Sequence, residues 1–142
     1  MKEEKKKYMA FCRRIAYELQ PKMFLNLYGI DFEYCWQEKD TDKHNDNCVT
    51  AEIKTNHRYY SAHLKLYPST FEMFKKGKRE RVAEVIVHEL CHIITDPLYK
   101  IANEGSSNNT MPFIEDVREQ TTQHLTNIMM CYLQDLKFNF NK

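Results

Sequence analysis

Apolar positions recur at helical spacing through the opening of the chain: Tyr8, Met9, Phe11, Cys12, Ile15, Ala16 and Leu19, then Met23, Phe24 and Leu27 beyond Pro21. That period predicts a helix from about Glu3 to Leu27, broken or restarted at the proline, which a first turn tolerates. Gly29 and Asp31 punctuate. Phe32 to Gln37 then alternates apolar and polar residues, the period of a strand. Glu38 to Asn47 is polar throughout and reads as a solvated turn; its Asp-x-Asp spacing lacks the glycine and terminal glutamate of a calcium loop.

Cys48 to Thr55 and Tyr59 to Leu66 are rich in β-formers and are joined by Asn56-His57-Arg58, which predicts an antiparallel hairpin. His57 and His63 fall to a turn and a sheet face. Pro68 ends the second strand, and Ser69-Thr70-Phe71-Glu72 has capping-box spacing for a short helix that Gly77 closes. Val82, Ala83, Val85, Ile86, Val87, Leu90, Ile93 and Ile94 predict a core helix from about Lys78 to Thr95, stopped by Asp96-Pro97 because the residue before a proline is steered out of the α region. Leu98 to Met111 reads as a loop hanging over that helix. A last helix runs from about Pro112 to Lys137.

Together these elements predict one α+β domain over residues 1–142, a length that buries one substantial core and not two. The formal net charge of +1 exerts no pull toward nucleic acid or an anionic membrane. Lys75, Lys76, Lys78, Arg79 and Arg81 do cluster, but no stacking platform accompanies them, so a solvated helix start is the better reading and nucleic acid is not an expected partner. Five cysteines without C-x-x-C spacing read as reduced thiols. No secretory h-region follows the charged N-terminus and no run approaches membrane-spanning length, so the expectation is a cytoplasmic protein.

The core helix carries the chemistry. His88 and His92 are four residues apart, which brings two imidazoles to nearly one azimuth, where a single divalent ion fits between them. Glu89 is displaced by about 100° and can flank a water on that ion. Titratable groups on so apolar a helix are costly without compensation, and a metal would supply it. Two histidines do not hold a catalytic ion, and no histidine follows at the spacing of an extended His-x-x-Gly-x-x-His motif. The last helix offers Glu115, Asp116 and Glu119, with Thr122 and Thr126 continuing the polar stripe.

Val-Ile-Val-His-Glu-Leu-Cys-His at 85–92, then Asp96-Pro97-Leu98, then Glu119 followed by Thr122, Leu125 and Thr126, resembles the small zincin metallopeptidases of phages and mobile elements. These form part of the glutamate-ligand (gluzincin) branch and are related to peptidases that cleave phage-type repressors. The likeness covers about Tyr59 to the end. It implies a minimal zincin fold, Zn2+ held by His88, His92 and Glu119, and Glu89 as the general base in hydrolysis of a protein or peptide substrate. The family has alanine near where Thr126 stands, and this departure keeps Glu115 open as an alternative ligand. The resemblance also places an extended substrate along the strand from Tyr59 to Leu66. Tyr99 and His124 are candidate oxyanion donors. The alternative function is a zinc-containing regulatory or protein-binding domain without turnover. Oligomeric state is not legible.

Overall fold

The helical period at the N-terminus is realised as α1, Lys2–Leu19, with Tyr8, Phe11, Cys12, Ile15, Ala16 and Leu19 buried along one face. The computed structural model describes residues 1–37, 49–105, 107 and 110–141. The expected polar turn at 38–47, and Cys48 with it, lie outside the described residues.

The first helix does not restart at Pro21. Residues 20–27 form turns, with Leu25 N–H donating to the Gln20 carbonyl at 2.8 Å and Phe24 at φ 58°. Gln20 Nε2 donates to the carbonyls of Leu25 and Tyr28 and pins this reversal. Met23 and Leu25 are buried while Phe24 and Leu27 face out, so the apolar run had the composition of a helix and the burial of a turn.

Strand β1 is Gly29–Tyr34, three residues ahead of its expected start, and Ile30, Phe32 and Tyr34 are its more buried side chains. β2, Ala51–Asn56, and β3, Ser61–Leu66, form the expected hairpin. β1 pairs with β3 in parallel, so the sheet is mixed and its order is β1-β3-β2. β3 is therefore the central strand. An edge at Tyr59–Leu66, open to a substrate, does not exist, because both sides of β3 are already hydrogen-bonded.

Ala62, Leu64 and Leu66 of β3 point into the core; the opposite face carries Glu33, His63 and Lys65, paired at 2.6 and 3.6 Å. His63 is thus a solvated sheet-face residue, and His57 is held at the turn by Tyr28 and Thr55.

Helix α2, Pro68–Lys75, begins two residues earlier than the capping box requires. Proline takes the first helical position, Tyr67 caps it, and no side-chain cap is made. Thr70 instead donates its hydroxyl to the Tyr67 carbonyl at 2.7 Å, under Tyr8 Oη at 2.6 Å. Gly77, at φ 74°, closes this turn as expected.

Helix α3 spans Arg79–Glu104 and does not stop at Thr95. Pro97 lies inside it, and most of the expected loop is helical. Helix α4, Met111–Asp135, lies antiparallel along α3, and this packing outweighs the local bias of the proline. Val82, Ala83, Ile86, Val87, Leu90 and Cys91 are fully buried between α1, α2, the sheet and α4. No described helix is long and apolar enough to cross a membrane.

Candidate metal centre

One turn of α3 sets the His88 and His92 rings 4.9 Å apart, nearly perpendicular. α4 brings Glu119 across to them. His88 Nε2 lies 3.4 Å from Glu119 Oε2, and His92 Nε2 lies 3.5 Å from Oε1. These distances bear on two readings. A charge-assisted hydrogen bond contracts to about 2.7–2.9 Å, whereas a tetrahedral ion with bonds of about 2.05 Å separates its donors by about 3.3 Å. Each histidine faces a different carboxylate oxygen at a separation longer than the first, which leaves space for an ion without fixing its geometry. One ligand atom from each residue lies within 4.8 Å of the others, so the group could hold a metal ion. Glu115 has no part in it among the described residues.

The other ring nitrogens explain the threonines. Thr126 donates its hydroxyl to the Thr122 carbonyl and Thr122 donates to the Arg118 carbonyl, both at 2.8 Å. Each hydroxyl proton is spent, so each oxygen can only accept. Thr126 Oγ1 accepts from His88 Nδ1, and Thr122 Oγ1 from His92 Nδ1, both at 3.4 Å. Thr95 Oγ1 lies 2.9 Å from Thr122 Oγ1 and shares its proton with the Cys91 carbonyl at 3.4 Å. Asp96 Oδ1 takes a share of His92 Nδ1 at 3.3 Å and receives Arg118 Nε at 2.8 Å. Protons on Nδ1 leave the Nε2 lone pairs facing Glu119, the tautomer a metal ligand needs.

Glu89 is 8% exposed and makes no hydrogen bond among the described residues. Burial raises its proton affinity above the ordinary carboxylate range, against the opposing pull of His92 and His88. His92, His88 and Arg118 around it offset part of the cost of that burial. It lines a cleft of about 110 Å3 with Thr50, Arg81, Glu84, Val85, His88 and Gln123. The His88 imidazole beside Glu119 holds that carboxyl below the usual range and is itself pushed up by it.

Other candidates are not brought to this point. Tyr99 lies on α3 rather than on a loop, and its ring stacks against the Arg118 guanidinium at 4.7 Å. His124 is exposed, five residues past Glu119 and about 140° round α4. In the basic cluster Arg81 pairs with Glu84 at 2.6 Å and Arg79 donates to the Asn141 carbonyl at 2.8 Å. Cys91 is a fully buried filler whose thiol burial pushes up to about 11. All four described cysteines are free.

Asp96 is the residue sequence reasoning missed, having been assigned to a helix stop. Its signal was the i, i+4 spacing from His92, the same spacing that links the two histidines. Comparison with known proteins brings out no matching family model, no similar curated protein and no similar solved structure, so the functional reading rests on this geometry and the motif.

Proposed function

We propose that the chain is a zinc-dependent peptidase in which His88, His92 and Glu119 hold the ion and Glu89 is the general base. The observation that carries this reading is the convergence of two imidazoles and a carboxylate, one ligand atom from each within 4.8 Å of the others, beside the largely buried Glu89. Two nitrogens and one oxygen with room for a fourth group form the donor set of a catalytic zinc rather than a closed structural one.

Bound there, zinc would supply the Lewis acidity that makes water nucleophilic near neutral pH and polarises a peptide carbonyl. Glu89, its proton affinity raised by burial, accepts the proton of the attacking water and releases it to the departing amine. Thr126, Thr122 and Asp96 fix the imidazole planes, and Arg118 Nη1, 3.5 Å from Glu119 Oε1, restrains the carboxylate. The peptide adds to β2 rather than β3. β2 is an edge among the described strands, and Thr50, just before it, lines the cleft with His88 and Glu89.

The test is Glu89→Gln beside His92→Ala and Glu119→Ala. Zinc should remain at full occupancy in Glu89→Gln while cleavage of an unfolded protein substrate falls by about 10²–10⁴-fold; the other two variants should lose the ion. Undiminished cleavage by Glu89→Gln removes the assigned base, and wild-type protein free of zinc when purified from zinc-supplemented medium removes the reading.

A further inference from the structure

Large apolar side chains are left in water on one flank of the molecule. Leu98 and Ile101 of α3 and Phe113, Val117, Ile128 and Tyr132 of α4 are between 43% and 72% exposed. Scattered singly they would need no explanation, but they share one flank, crossed on α4 by the exposed Thr121 and His124. Leu98, Phe113 and Val117 rim one apolar cavity of about 260 Å3 between the two helices. Ile128 follows Val117 by three turns on the same face, and Tyr132 follows by one more. Val117 and Thr121 stand two residues either side of Glu119, about 160° round α4 from it, so this flank faces away from the metal cleft.

Charge is distributed to match. From Phe113 to Tyr132 the charged residues are Glu115, Asp116, Arg118 and Glu119. At 100° per residue Glu115, Asp116 and Glu119 fall on the other half of the helix, and Arg118 stands at the border, where it lines the cavity. A helix that lies on a lipid surface needs lysines and arginines on its polar face; here that face has three acids to one base. Interface centres, by contrast, are depleted in charge.

We propose that this flank is the contact between two copies of the chain, related by a two-fold axis that runs α4 antiparallel to its counterpart. The six side chains present on the order of 700 Å2, close to the roughly 800 Å2 per partner of a stable specific interface. A uniform neutral face is self-complementary, as a two-fold contact requires, and the cavity between Leu98 and Phe113 gives a socket for a projecting side chain of the second copy. This inference is independent of the peptidase reading.

Sedimentation or light scattering of the purified chain up to about 200 µM decides it. The expected mass is twice 17.1 kDa. Ile128→Lys and Phe113→Lys, both at exposed positions, should return the monomer mass with an unchanged circular dichroism spectrum and a dissociation constant raised by roughly 100-fold. Ile128→Ser and Leu98→Ser are milder variants that give the same readout if a lysine prevents folding. A wild-type monomer at the highest concentration, a monomer that instead binds a different protein through this flank, or a dimer untouched by all four substitutions overturns the proposal.

Discussion

Asp96 contributes no atom to the candidate ligand set, yet it governs how His92 is presented. Its Oδ1 receives both His92 Nδ1 and Arg118 Nε, so replacing it with asparagine weakens the acceptor for the imidazole and strands the guanidinium. Asp96→Asn should lower metal affinity by about 10- to 100-fold, the usual effect of losing a carboxylate behind a ligating histidine. Competition with a chelating dye measures it; unchanged affinity would mean that Thr122 alone orients the ring. The same variant has a second readout in acid. Burial pushes the Asp96 carboxyl up, but the hydrogen bonds from His92 and Arg118 prevail and hold it below its ordinary value. A lowered carboxyl contributes stability that is complete above its unfolded value and lost as pH falls through the folded one. Metal-free Asp96→Asn should therefore lose less stability than wild type on acidification. The histidine pair was legible in the sequence because helical spacing sets both rings on one face, whereas only the resemblance singled out Glu119 from Glu115 and Asp116. Thr122 and Thr126 were legible only as a continuation of the polar stripe, since what they do depends on a proton already committed to the preceding turn.

At the scale of elements, α3 shows how packing overrides a local rule. Pro97 cannot donate to the Ile93 carbonyl, and sequence alone ends the helix there. The helix continues because its second half lies against α4, with Tyr99 on Arg118 and Leu98 beside Phe113 and Val117. Pro97→Ala restores the missing donor at a helix-interior position. It should raise unfolding stability by about 1–3 kcal/mol, read from the denaturant midpoint at unchanged slope. A decrease would mean that the proline bends α3 to fit α4. The early start of β1 has a similar cause. Gly29 and Asp31 look like turn residues, but they occupy the solvent face of a strand whose inward positions, Ile30, Phe32 and Tyr34, alternate correctly.

For the whole molecule, the α+β character and the hairpin were readable, whereas the central place of β3 was not. Strand order depends on β1 joining β3 in parallel, a pairing between segments some thirty residues apart that no local pattern encodes. The residues that could hold a metal ion are divided in the same way. His88 and His92 come from one helix and Glu119 from another, with the chain between His92 and Glu119 closing a circuit of 27 positions, 119 minus 92. An ion held at both ends would act as a reversible rivet between the two halves of the protein. At free metal about a hundredfold above its dissociation constant it should add about 2.7 kcal/mol to unfolding stability. A chain cut by an engineered protease site between residues 105 and 110 should then travel as one particle while the ion is present and separate when a chelator strips it. Fragments that co-migrate either way would show that greasy contacts between the helices are sufficient, and that the cation is a passenger in their union.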